Sequence, residues 1–473
     1  WCYHSSHISP ALTHFHGTME REAEERTSHD DDDEDDDEED DEDEDEDDDP
    51  VMDATATDVD VEDEEKQARH IECEELNEDT LLWVDNLEGL EIGYSKNWIK
   101  QRSACSFIRD SKSLRKIYIK IRCGDEDDGG SWLGELLQHV AHNRSIESLT
   151  IHLIPVIYMQ NDRWMERSYD YRLEWDIFHM LTPFIEHNSN LRHIDLFLGT
   201  SAMLSSLSLA LSTCKNTQLQ RIDLTEVNAT EGYDEIFASL AHCSRLSEIK
   251  ITDRRGIGPE GYRALSYLLE NPASKIRKLE LYYGLDDDSI ATLSNCLIQN
   301  NSVKSLELAR MPTVTVTGWE TFYAVFSHPM CTIEKLWLDE IELDDECVTN
   351  LGEALADNTS VKCLDLSRNR SITLEGWRGF LTCMSNPHSS LEELKLVYCS
   401  IDDVDAFLLV SALDGNKSLK RLDMSWNHIT SIGMFAIFTV LFVHGLSLEE
   451  LDLRECRISV DSLTDEIWLI LSF

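Results

Sequence analysis

The sequence predicts an α/β solenoid, a horseshoe with a parallel sheet on its concave side and helices on its convex side, preceded by a disordered acidic tail. Three observations predict it: a short aliphatic pattern that returns twelve times, spacings of 27 to 30 residues between most of the returns, and a charge concentrated at the N-terminal end.

The tail comes first. Residues 1–80 carry 36 acidic and 4 basic side chains, a net charge of −32, which leaves −20 of the total −52 for residues 81–473. Asp30 to Asp49 is an unbroken run of 20 carboxylates, whose mutual repulsion and lack of apolar side chains oppose any compact state. Such a tract is either an arm that captures basic proteins or a solubilising segment with no partner. His4, His7, His14 and His16 precede it, but nothing around them supplies the rigid outer shell of a metal site, so no metal or cofactor is expected.

Composition excludes several function classes. A surface this acidic repels phosphate backbones, so a protein partner, especially a basic one, is expected rather than nucleic acid. Thirteen scattered cysteines without a C-x-x-C pair suggest neither a disulfide framework nor a zinc site, and reduced thiols fit a cytoplasmic or nuclear protein. The apolar stretch Met434 to Val443 is about half the ~20 residues that span a bilayer, so no membrane segment is expected. Asn-x-Ser/Thr sequences at Asn143, Asn228 and Asn358 would matter only after secretion and read as chance. Oligomeric state is not legible.

From residue 81 onward the repeat organises the chain. The pattern Φ-x-x-Φ-x-Φ, with Φ aliphatic, begins at 114, 146, 191, 219, 246, 276, 303, 333, 361, 391, 419 and 448. Leu87-Glu-Gly-Leu-Glu-Ile92, 27 residues before Leu114, reads as a thirteenth strand. Alternating aliphatics make each segment a strand, and i, i+3, i+4 aliphatics such as Val348, Leu351 and Leu355 make the following stretch a helix. No unit buries both apolar faces alone, so the units must stack, giving about 12 to 13 repeats over 81–473.

Two further markers alternate along the units. Gly261, Gly318, Gly376 and Gly433 recur at intervals of 57, 58 and 57, each four residues after an aliphatic. Leu285-Asp-Asp, Leu343-Asp-Asp and Ile401-Asp-Asp recur at 58 and 58, just ahead of helical patterns, where aspartates suit helix N-caps.

Leu364-Asp-Leu-Ser-Arg-Asn369 and Leu422-Asp-Met-Ser-Trp-Asn427 alternate with Leu394-Lys-Leu-Val-Tyr-Cys399 and Leu451-Asp-Leu-Arg-Glu-Cys456. This resembles the ribonuclease-inhibitor type of leucine-rich repeat, over roughly residues 81–473. The resemblance implies that these Asn and Cys side chains bond backbone groups between adjacent coils. Val227, Gly284, Met311 and Ile341 depart from it, so the earlier units are expected to be less regular.

Chemistry is sparse. Gly256-Ile-Gly-Pro-Glu-Gly261 fits the dinucleotide pattern G-x-G-x-x-G, yet Gly261 belongs to the recurring glycines, which explains it more simply. No nucleophile elbow, zinc-protease or phosphate-loop motif occurs, and no catalytic residues are assigned.

Residues alternating with the buried aliphatics should face outward from the sheet. Tyr282, Trp337, Asp339, Asp365, Asp423 and Arg454, with the loop-edge residues Tyr283, Tyr398 and Trp426, form a candidate concave binding face, rich in the residue types that dominate binding hot spots. The competing reading is that the aspartates are merely solvated and the aromatics fold back on neighbouring coils. A second candidate is the 45-residue spacing between Ile146 and Leu191, whose extra residues include Tyr158, Arg163, Trp164, Arg167, Tyr169 and Tyr171.

The sequence therefore reads as a non-enzymatic protein-interaction scaffold. Two alternatives belong to other classes. Repeats joined to an acidic segment resemble Ran GTPase-activating protein, although there the acidic segment follows the repeats. An acidic arm acting alone would instead make a histone-chaperone-like binder of basic proteins.

Overall fold

A computed structural model of the chain describes residues 89–93, 108–123, 138–155, 157–160, 163–166, 184–185, 188–197, 201–213, 218–225, 229, 231–386, 389–414, 416–444 and 448–458. The acidic run and the whole of the expected tail lie outside these residues.

Among the described residues, thirteen strands form one parallel sheet. They are β1 (Gly89–Gly93), β2 (Lys116–Cys123), β3 (Ser148–Pro155), β6 (His193–Phe197), β7 (Arg221–Thr225), β8 (Glu248–Thr252), β9 (Lys278–Tyr282), β10 (Ser305–Ala309), β11 (Lys335–Trp337), β12 (Cys363–Asp365), β13 (Glu393–Lys395), β14 (Arg421–Asp423) and β15 (Glu450–Asp452). Each strand pairs with the next in sequence, β3 with β6, so the sheet is open, with β1 and β15 at its edges. The expected thirteenth strand is β1, and Leu90 opposes Ile117 at the predicted offset of 27 residues.

Nine helices are described: α1 (Ser201–Thr213), α2 (Tyr233–Leu240), α3 (Gly258–Glu270), α4 (Asp287–Gln299), α5 (Val316–Ser327), α6 (Asp345–Ala356), α7 (Leu374–Met384), α8 (Asp403–Ser411) and α9 (Ser431–His444). They form a second layer, each packed on the next. The aliphatics of the repeat line the space between layers: Leu279, Leu306, Leu336, Leu364 and Leu394 are fully buried, as are Val348 and Leu351 of α6. Trp319, Phe322 and Phe326 of α5, and Trp377 and Phe380 of α7, fill it from the helix side.

The two sequence markers turn out to be halves of one contact. Asp286, Asp344 and Asp402, the first aspartates of their pairs, are the helix N-caps, accepting from Ser289, Cys347 and Val404 backbone N–H groups respectively. The second aspartates are not caps. Asp287, Asp345 and Asp403 reach to the next coil, where each accepts from both the backbone N–H and the hydroxyl of Thr315, Thr373 and Thr430, at 2.6–2.8 Å. Gly318, Gly376 and Gly433 lie three residues beyond those threonines, and a methyl group at any of them would overlap the aspartate oxygen. Gly261 is a different case: it faces Tyr233 and Ile257.

Asparagine closes the other seams. Asn369 accepts from the Ile341 and Leu343 N–H groups of the preceding coil and donates to Leu338 and Leu366 carbonyls, while Asn427 does the same for Cys399, Ile401, Leu396 and Met424. The Cys399 and Cys456 thiols donate to the Leu366 and Met424 carbonyls of the preceding coils. Met311 and Ile341 fill the equivalent place with buried apolar side chains, and the sheet passes through those coils without a break, so the expected irregularity is absent there. Val227 lies outside the described residues.

Two of the Asn-x-Ser/Thr sequences have a structural role, and Asn228 lies outside the described residues. Asn143 and Asn358 are buried, and each donates to the preceding coil, to the Ile108 and Phe326 carbonyls. Asn358 Oδ1 also accepts from Ser360 and Val361 N–H groups, and Asn300 and Asn416 repeat the arrangement. The motif is a helix-to-strand turn.

Asn369→Ala strands the buried Ile341 and Leu343 N–H groups and the Leu338 carbonyl, leaving the Leu366 carbonyl with the Cys399 thiol, and should cost about 3 kcal/mol on the scale of unsatisfied buried polar groups, read as a lowered urea midpoint. Gly376→Ala should cost about 2 kcal/mol by forcing Asp345 off Thr373. Adding Asp345→Ala to it should cost less than the two separate losses summed, because both act on one contact.

Candidate functional site: the sheet face and its rim

Parallel pairing in constant register puts equivalent residues of each coil in one row across the sheet. Tyr118, Thr150, Asp195, Asp223, Lys250 and Glu280 align, continuing through Glu307, Trp337, Asp365, Lys395, Asp423 and Asp452. Seven of these twelve are carboxylates and two are lysines. Neighbours in such a row stand about 4.8 Å apart, so like charges there oppose each other.

The acids respond. Burial, with the Asp223 carboxylate alongside, pushes the Asp195 carboxyl up to about 6. Burial raises Asp339 to about 6 as well, against the opposing pull of Arg368, which pairs with it at 3.3 Å. Glu307 is raised chiefly by burial, although Tyr282 donates its hydroxyl to it. Tyr282 also lies under Lys250, 5.4 Å from the ring centre. Trp337, at the middle of the row, has Lys278 and Lys335 at 6.0 and 5.8 Å from its ring and is half-buried.

Asp365 and Asp423 lie in the row as expected, but one oxygen of each is committed, accepting from Ser367 and Ser425 N–H groups at 2.9 Å. They close the strand end as well as face outward. Arg454 is exposed and doubly bonded to Asp452.

The loop-edge aromatics share a backbone state. Tyr283, Arg310, Glu340, Arg368, Tyr398, Trp426 and Glu455 occupy the same position in seven successive coils, all left-handed with φ between 52° and 68°. For residues other than glycine this costs roughly 1 kcal/mol each. An inter-coil bond offsets it: the N–H of Tyr283 donates to Ala309, Arg310 to Glu340, Glu340 to Ser367, Arg368 to Val397, Tyr398 to Ser425 and Trp426 to Arg454.

This turns the seven side chains into a rim ladder along the sheet. Arg310 lies over the Tyr283 ring at 5.6 Å and pairs with Glu340 at 2.8 Å. Tyr398 and Trp426 stack at 5.0 Å, 19° from parallel, with Arg370 over Tyr398 at 5.6 Å. Sequence reading found the three aromatics and missed Arg310, Glu340 and Arg368, which share their spacing but not their residue type. It also missed Tyr118, His152 and Phe197, a cluster near the other end of the sheet with ring separations of 5.1 and 5.4 Å.

The insertion after β3 contains an antiparallel hairpin, β4 (Ile157–Gln160) and β5 (Arg163–Glu166). Tyr158 opposes Met165, Trp164 opposes Met159 and Arg163 opposes Gln160. Arg167, Tyr169 and Tyr171 lie outside the described residues.

The glycines of Gly256-Ile-Gly-Pro-Glu-Gly261 are accounted for by the fold. Gly256, with φ of 74°, abuts Gly284 of the next coil so closely that a Cβ would come within 2.7 Å of its Cα, and Gly258, with φ of 68°, begins α3. Among the described residues no group of His, Cys, Asp and Glu is placed to hold a metal, and no helix is long and apolar enough to cross a membrane.

These coils, with their repeated strand, buried Asn or Cys and helix, define a leucine-rich-repeat protein. The Leucine Rich repeat family description matches residues 357–380 and 415–438. Similar curated proteins include NACHT, LRR and PYD domains-containing protein 14 of Mus musculus, 25% identical over 300 residues, covering 61% of this chain and 29% of that protein. Protein 5 of the same series from Homo sapiens is 26% identical over 301 residues, covering 63% and 24%. The chain thus spans less than a third of these relatives. Among solved structures, TLR13 in its complex with ssRNA13 is similar at TM-score 0.40 and 12% identity, covering 79% of this chain and 46% of that one. The yeast Rad7 and Elc1 complex is similar at 0.37 and 14%, covering 74% and 84%.

The raised carboxyls set a pH dependence. Because Asp195 binds its proton more tightly folded, at about 6, than unfolded, near 3.8, its contribution to stability falls as pH rises from about 4 to about 6. Asp195→Asn should therefore raise the urea midpoint at pH 7 and leave it nearly unchanged at pH 4.

Proposed function

We propose that the chain is a non-enzymatic scaffold that holds a basic protein partner against the sheet face, which would be the concave side of a horseshoe. The observation that carries this reading is the row of aligned carboxylates, with Asp195 beside Asp223 and Glu280 beside Glu307. Burial and mutual repulsion raise carboxyl groups in that row, so a cation arriving there relieves a cost already present in the free protein. Trp337 and Tyr282 add rigid, half-buried area among those charges. The Tyr158, Arg163 and Trp164 hairpin would add a second contact.

The repeats themselves fit the ribonuclease-inhibitor type. Asn369, Cys399, Asn427 and Cys456 alternate at one position and make equivalent inter-coil bonds.

The test is binding of a panel of lysine- and arginine-rich proteins to the full chain, to a variant lacking residues 30–49, and to Trp337→Ala. The scaffold reading expects Trp337→Ala to weaken a salt-sensitive complex about tenfold while the deletion changes it by less than about threefold. Loss of binding on the deletion alone would assign function to the acidic arm instead. Stimulated hydrolysis in a GTPase panel would favour a GTPase regulator instead.

A further inference from the structure

One rung of the rim is open on the side where the ladder would continue. Trp426 is stacked on Tyr398 by one face and is 43% exposed. The next rung is Glu455, which is exposed and makes no ion pair among the described residues. The inter-coil bond from Trp426 N–H to the Arg454 carbonyl, at 2.9 Å, sets the Glu455 backbone about one strand spacing from that of Trp426.

The same ladder shows what such a place accepts. Arg310 sits between the Tyr283 ring, 5.6 Å away, and the Glu340 carboxylate, 2.8 Å away, and also donates to the Tyr283 hydroxyl. Arg370 lies over the ring of Tyr398, again at 5.6 Å. The nearby cation, Arg454, is held by both oxygens of Asp452.

We propose that the free face of Trp426 receives an arginine side chain of a protein partner, its guanidinium flat on the indole and paired with Glu455. The proposal rests on the scaffold reading above. Arginine suits the place better than lysine because a planar guanidinium can stack and present a two-pronged donor edge at once, and Asp423 adds to the negative field around it.

The experiment titrates the full chain with three peptides, acetyl-Gly-X-Gly-amide with X arginine, lysine or citrulline, at low salt, following peptide proton shifts by NMR. The arginine peptide should bind with its δ-methylene protons moved upfield by the indole ring current, and the lysine and citrulline peptides should bind at least about threefold more weakly. Trp426→Asn, chosen because asparagine tolerates the left-handed backbone, should abolish the shift. Trp426→Phe should keep a smaller one, and Glu455→Gln should weaken binding about threefold to tenfold. Equal binding of arginine and lysine, or an upfield shift that survives Trp426→Asn, would overturn the rim site. Loss of arginine binding in Trp337→Ala but not in Trp426→Asn would overturn it too while leaving the sheet-face scaffold standing.

Discussion

Everything in the solenoid depends on polar groups that one coil cannot satisfy by itself. A single unit of strand, turn and helix leaves buried N–H and C=O groups at each corner, and leaving them unpaired is costly. Asn369 and Asn427 take up those of the coil before, Asn300, Asn358 and Asn416 do so at the helix end, and Asp287, Asp345 and Asp403 reach forward to threonines. Hydrophobic burial drives the stacking, but these bonds fix its register. The row of carboxylates and the rim ladder are both consequences of that register.

The repeat made most of this architecture legible before any coordinates. Strand positions follow from the aliphatics at 114 through 448 because period-two burial leaves little freedom, and β1 obeys the same 27-residue offset. The Asp-Asp and glycine markers were visible as periodic signals, but their link was not, since residues 28 apart touch only when adjacent coils stack. The Asn-x-Ser sequences misled for the complementary reason: their short pattern has a familiar surface meaning, while here the asparagine is buried at a turn.

The candidate site was less legible. Alternation placed Tyr282, Trp337 and Asp339 on or beside the sheet face, but residue type could not show that Asp365 and Asp423 also close their own strand ends. Nor could it join Tyr283, Arg310 and Glu340 into one assembly, because what unites them is a left-handed backbone held by inter-coil bonds. A tyrosine, an arginine and a glutamate share no propensity that announces such a state.

That left-handed rim has one more consequence. Its geometry is set by main-chain donors and acceptors, which are the same whatever side chain each position carries, and the seven positions already accommodate tyrosine, arginine, glutamate and tryptophan. The rim therefore behaves as a keyboard on a fixed frame. Its chemical lettering can be rewritten one coil at a time while the frame stays put, so changes in what the surface recognises need not be bought with changes in how the chain folds.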